Sequence, residues 1–350
     1  MSTINKWAVL VSSSDFWFNY RHMNSVLALH DLLLRRGFLS SNILLLNALD
    51  AACSPLNPSP GCVFANTSLD SDVFHSDTII DFKGRDVSVR TFLDLLSGRN
   101  DYPSWKRLAS DENSLVLVYM SGHGGDEFFK FNDHEELTSH ELARVLQEMH
   151  ICRRYGHLLL VLDTCQAETL GKEISSPNVT FIASSRRGEN SYGYHWSEHL
   201  SAGLTDRFSF ALLQFLQQTR PSHTIRDMMN AMDPRFLHAN VFVSSTYSAT
   251  DAYDIDLLDF FSDRIPIQLI EHSPRYLPPS LLEEPRDAGR SRSTTAAVPR
   301  ISNLQRISLP TCPYSGSQSR VPITESMDLI RTLLPLCLVV LYMLSKQRQP

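Results

Sequence analysis

No two of the six cysteines, at positions 53, 62, 152, 165, 312 and 337, form a CxxC pair. Scattered thiols in 350 residues exclude a zinc ribbon and are too few for a disulfide framework. No stripe of Lys and Arg interleaved with aromatics is present, and the formal net charge is −6, so nucleic acid is not an expected partner. Long apolar runs are also missing. The tail run 332–344 has thirteen residues, short of the roughly 20 that cross a bilayer. The start, MSTINKWAVLV, has no charged n-region, separate apolar stretch or small-residue cleavage site, so no signal peptide is expected there. Internal repeats and metal-ligand spacings are absent.

The chain has apolar runs of strand length that alternate with helical patterns. Strands are expected at 7–11, 43–46, 114–120, 157–163, 180–184 and 240–244. Helices are expected at 22–36, stopped by Gly37, at 89–96, at 138–150, at 208–218 and at 225–232. Thr138 and Glu141 form a capping box. Pro55, Pro58, Pro60 and Gly61 mark 49–76 as a long surface loop, and 78–89 alternates like a hairpin with FKGRD at its turn. Such alternation implies an α/β fold, a three-layer sandwich with a mostly parallel central sheet and helices on both faces. Residues 1–263 read as one catalytic domain. Residues 264–328, rich in Pro, Ser and Arg, read as a disordered linker. Residues 329–345 read as a short C-terminal membrane anchor. The basic tail 346–350 places its end in the cytosol and the body in a lumen.

Two of the buried runs end in reactive residues: VLVYMSGHGG carries His123, and LLLVLDTCQA carries Cys165. Chemistry in open parallel sheets collects beyond the carboxyl ends of strands. The 42 residues between them (165 − 123) suit one crossover through a helix. A cysteine after an apolar strand is usually a core residue and a lone loop histidine is usually solvated. Together, one crossover apart, they read as a nucleophile and its base. Gly124 and Gly125 keep the approach open. Backbone N–H groups at Gly124 and Cys165 are candidates for an oxyanion hole. Asn66 and Asn178 head sequons, usable in a secretory lumen.

FWFNYRH, YMSGHGG, LLLVLDTCQA and IASS, in this order over residues 5–262, resemble the catalytic subunits of glycosylphosphatidylinositol (GPI) transamidases. These belong to the legumain-like, caspase-related cysteine proteases. The resemblance implies a caspase-like fold. It makes Cys165 the nucleophile, His123 its base and Asn19 a third member that orients the imidazole. It places Ser184 and Ser185 on the substrate pocket wall, and makes Cys53 the site of a disulfide to a large luminal partner subunit. The implied reaction moves a protein's acyl group from a C-terminal signal to the ethanolamine amine of a preformed GPI anchor. The implied setting is a multi-subunit complex in the endoplasmic reticulum membrane. No cofactor is needed for the chemistry. A structural calcium site is implied near Asp81 and Ile43, but Ser40 and Ile79 stand where acids are expected. A legumain-like endopeptidase that hydrolyses at asparagine or small residues is the alternative. The charged residues with which legumains grip asparagine are not found in matching motifs.

Overall fold

The computed structural model describes residues 5–262, apart from Asn100, Thr219 and Pro221. The first half runs β1 (Lys6–Ser12), α1 (Tyr20–Arg35), β2 (Ile43–Asn47), β3 (Phe82–Lys83), α2 (Val89–Ser97) and β4 (Leu115–Ser121). Then come β5 (Gly124–Gly125), β6 (Phe128–Phe131), β7 (Glu135–Thr138), α3 (Ser139–Ile151), β8 (His157–Asp163), α4 (Ala167–Leu170) and β9 (Val179–Ala183). The remainder is β10 (Gly193–Ser197), β11 (Ala202–Asp206), α5 (Arg207–Gln217), α6 (Ile225–Ala231), α7 (Pro234–Leu237), β12 (Phe242–Ser245) and α8 (Leu258–Phe261).

Seven strands make the central sheet in the order β12-β9-β8-β4-β1-β2-β3. All neighbours pair in parallel except β12, which runs antiparallel to β9 at one edge. Strand periodicity builds two cores. Leu159 and Val161 of β8 join the face shared with α1 and α5 residues such as Val26, Leu33 and Leu212. Leu158, Leu160 and Leu162 join the opposite face with Phe92 of α2 and Leu146 of α3. The three-layer sandwich expected from the alternation is therefore what forms. All seven residues of β8 are buried, and each buried leucine contributes about 1.5–3 kcal/mol. That stiffens the strand leading to Cys165.

Local signals set the boundaries. After α1 the chain turns at Gly37, φ +92°, and the N–H groups of Gly37 and Phe38 return to the Leu34 and Leu33 carbonyls. Ser88 caps α2 by accepting from Thr91 N at 3.0 Å, and the Thr138–Glu141 capping box starts α3. The hairpin expected at 78–89 does not form. Phe82–Lys83 is a two-residue strand parallel to β2, followed by a 3-10 turn at Gly84–Asp86 that leads into α2. Phe82 and Val87 are buried, but the turn at Gly84–Asp86 sends the chain into α2 instead of back along β3, and Ile79 is 58% exposed. The β5–β6–β7 meander and the β10–β11 hairpin were not expected. The linker, anchor and tail lie outside the described residues. Among the described residues no helix is long and apolar enough to cross a membrane.

Candidate active site

β4 and β8 are neighbours, and their last register pair is Ser121 with Asp163. Gly122 N still donates to Asp163 O at 3.3 Å. His123 and Cys165 each stand two residues beyond that pair, so both leave the sheet together at its carboxyl edge. Parallel strands lie about 4.8 Å apart, which brings an imidazole and a thiol to one site without help from a flexible loop.

Asn19 completes the pair. It ends the 3-10 turn Trp17–Asn19 before α1 and is fully buried. Its Oδ1 lies 2.8 Å from His123 Nε2. A carboxamide oxygen only accepts, so this bond assigns the imidazole proton to Nε2 and leaves the Nδ1 lone pair as the base. The expected orienting role of Asn19 thus has a geometry. The His22 ring packs edge-on against His123, centroids 5.0 Å apart. Burial holds His22 well below the ordinary histidine value, so it is a neutral neighbour.

Burial also lowers the His123 pKa, with the Arg21 charge adding to it. Burial raises the Cys165 thiol. Both shifts favour a neutral thiol and a neutral imidazole over an ion pair at rest. His123 must take the thiol proton as attack occurs. We predict an acid limb in kcat/KM below the ordinary histidine value of 6.5, because protonation of a histidine with a lowered pKa needs a lower pH. Asn19→Ala should lower kcat about 10- to 100-fold. Asn19→Asp should move the acid limb upward, since a carboxylate stabilises the imidazolium. A pH–rate profile of the three proteins checks both.

Of the two N–H groups expected at an oxyanion hole, that of Gly124 has a direction set by the β5–β6 ladder. Lys130 N donates to His123 O at 2.8 Å, and Gly124 pairs with Phe129. In an antiparallel ladder this points the Gly124 N–H away from β6. The turn after β8 is buttressed from β9. Ser184 Oγ accepts from Thr164 N and donates to Thr164 O, both at 3.2 Å. Ser185 Oγ donates to Thr164 O at 2.7 Å and accepts from Ala167 N at 3.1 Å. Ser184 and Ser185, expected as pocket wall, are buried and use their hydroxyls to hold the thiol's own turn.

The structure also gathers charged residues that the sequence reading did not find. Arg21 Nε donates to Asp206 Oδ1 at 2.9 Å. Asp163, the residue two before the thiol, accepts from Ser191 Oγ at 2.7 Å and from Ser209 N at 3.2 Å. Both acids are buried. Burial first, then the Asp163 charge, pushes Asp206 up to about 7. Arg21 was visible inside FWFNYRH. Asp206 and Ser191 sit in the segment after β9, which has no periodicity to read.

Other expected residues fall away from this edge. Asp81 is the lone acid of the expected calcium site. Its Oδ2 accepts from Leu45 N at 2.9 Å, and the Lys106 ammonium donates to its carbonyl. Ser40 is exposed in a 3-10 turn, Ile43 is buried in β2, and Ile79 offers no oxygen ligand in its side chain. Calcium takes six to eight oxygens, and a lysine ammonium on one of the few available does not fit it. Among the described residues no cluster of His, Cys, Asp or Glu fits a metal. Adding EDTA should therefore shift the Tm by less than about 1 °C, where loss of a bound structural ion worth even 1 kcal/mol would shift it by about 2–4 °C. Cys53 is exposed on the loop between β2 and β3.

A thiol that attacks a carbonyl while a neutral imidazole takes its proton defines the class: a cysteine peptidase-type acyl-transfer enzyme. Residues 6–248 match the Peptidase C13 family. The chain belongs to that family. It is 40% identical to the GPI-anchor transamidase of Schizosaccharomyces pombe over 77% of this chain and 72% of that one. Identity is 38% with the Saccharomyces cerevisiae GPI-anchor transamidase (74% and 64% covered) and 39% with the Homo sapiens one (73% and 66%). The chain thus spans about two thirds of the length of the last two. Caspase-1 from Spodoptera frugiperda superposes with a TM-score of 0.43 at 11% identity, covering 70% of this chain and 88% of that one. The fold assignment rests on the strand order and not on that likeness.

Proposed function

We infer that the chain is the catalytic subunit of a GPI-anchor transamidase. The observation that carries this is Cys165 and His123 at the carboxyl ends of paired strands, with Asn19 on Nε2, in a family chain about 40% identical to proteins of that name. Cys165 Sγ attacks the carbonyl carbon of the residue preceding the C-terminal signal, and Nδ1 of His123 takes the thiol proton. The carbonyl oxygen becomes an oxyanion against the N–H groups of Gly124 and Cys165. Collapse breaks the C–N bond, and His123 returns the proton to the departing amine. A thioester remains on Cys165. The acceptor ethanolamine amine attacks it and gives a proton to His123. The new amide leaves as the thiolate recovers that proton. The reaction consumes no water and needs no redox partner.

The same reading places the enzyme in a multi-subunit complex at the endoplasmic reticulum membrane, with its site in the lumen. A lumenal glycan would fit Asn66 better than Asn178. Thr67 and Ser68 of the first sequon are exposed on a loop, whereas Val179 and Thr180 of the second are buried in β9.

A second reading, hydrolysis after asparagine, is kept for one observation. Arg21, Asp206 and Asp163 could grip a polar carboxamide beside the thiol. Product analysis separates the two. A peptide bearing a GPI signal is incubated with the assembled complex and hydrazine as acceptor. Hydrazide from small-residue sites supports transfer. Free acid alone, from asparagine sites, supports the endopeptidase.

A further inference from the structure

Gln166 follows the nucleophile and sits at φ +52°, in the left-handed region that side chains with a Cβ rarely adopt. It is held there twice. Its N–H donates to Glu189 O at 2.9 Å, and its Oε1 accepts from Gly188 N at 3.0 Å. Glu189 is pinned in turn: Oε2 accepts from Arg186 N at 2.9 Å and Asn240 N at 2.8 Å, and Oε1 accepts from Asn240 Nδ2 at 2.6 Å. Two residues on, Ser191 bonds Asp163, and its carbonyl lies 3.9 Å from Cys165 Sγ.

Residues 186–191, RRGENS, contain no apolar side chain. A strap without a hydrophobic anchor is placed only by its polar bonds. Arg187 adds an exposed ion pair to Asp126 beside the Gly124–Gly125 turn, which contributes little on its own. Arg187 N also donates to Glu168 Oε2 of α4 at 3.3 Å, and the bonds at Gln166 and Glu189 join the strap to the thiol's own turn and to the loop before β12.

We propose that Gln166 and Glu189 are positioning residues: their hydrogen bonds hold the 186–191 strap, and through it the Ser191 carbonyl and the left-handed turn, so that the Cys165 thiol is aimed before substrate arrives. This deepens the acyl-transfer reading and rests on Cys165 being the nucleophile, whatever the acceptor.

Variants separate the backbone from the side chain. Gln166→Gly takes the left-handed turn freely but deletes the carboxamide. Gln166→Glu keeps an acceptor for Gly188 N. Gln166→Gly and Glu189→Ala should each lower kcat about tenfold with KM within about twofold, since misaiming a reacting group acts on kcat. Gln166→Glu should restore at least half of wild-type kcat. The double variant should be no worse than about twice the worse single, because both act through one strap. Asn240→Ala, remote from the thiol and acting only through Glu189, should lower kcat about threefold, and it decides the case if a Gln166 variant fails to fold. Folded variants with kcat within twofold of wild type, effects confined to KM, or fully additive losses would overturn the proposal. Products with water and with hydrazine are both counted. A wild-type enzyme inert to both counts against acyl transfer itself. An active wild type with unaffected variants counts against the strap alone.

Discussion

Cys165→Ala is expected to abolish transfer, a fall of at least about 10⁴-fold in kcat, with the fold intact. No other group can replace the thiol. Among the described residues the free cysteines are Cys62, Cys152 and Cys165. Cys62 lies on the long loop before β3, and Cys152 caps the far end of α3. Neither follows β4 or β8 as Cys165 does. His123→Ala should come close to the same loss, because a thiol raised by burial supplies almost no thiolate at neutral pH without a base. His123→Ala should also recover activity partly as the pH rises, since hydroxide then forms thiolate directly, while Cys165→Ala should not. Steady-state rates from pH 6 to 10, with thermal melts as a fold control, separate the two.

Gly124→Ala is the second large effect. A Cβ there would stand 2.6 Å from Thr164 Oγ1 and 2.8 Å from the Phe128 carbonyl. The latter is backbone and cannot swing aside. The strand must shift, and the Gly124 N–H moves with it. Removal of one oxyanion donor costs about 10²–10³ in kcat. We expect a loss in that range, with KM less affected and a melting temperature lower by a few degrees. A Gly124→Ala enzyme with near-normal kcat would remove Gly124 from the oxyanion hole.

The parts of this fold that sequence makes legible are those with a strong period. β4 and β8 read as buried runs because both faces of a central strand are covered, and their reactive residues stand out where the run ends. Adjacency of the two strands was inferred from one crossover length, and the register bears it out. Asn19 is different in kind. Its bond to His123 spans 104 residues and leaves no local trace, so only the FWFNYRH resemblance pointed to it. Ser191, Glu189 and Asp206 were illegible for a further reason. They lie on a polar strap and a short hairpin, where position is fixed by hydrogen bonds to distant groups. The expected hairpin at 78–89 failed because Phe82 pairs in parallel with Leu46 of the central sheet, not with a local return strand. Ser184 and Ser185 were legible as residues after a strand, but the bonds of their hydroxyls to the backbone of the nucleophile turn were not.

The central claim is a thioester on Cys165 that an amine, not water, resolves. Acid-quenched enzyme, mixed with a GPI-signal peptide and varied hydrazine, can be digested and its cysteine peptides weighed. An acyl mass is expected on the Cys165 peptide alone. Its steady-state amount should fall as hydrazine rises, while hydrazide accumulates in proportion. Hydrazide formed without any acyl mass on Cys165, or an adduct on Cys62 or Cys152 instead, would contradict the account.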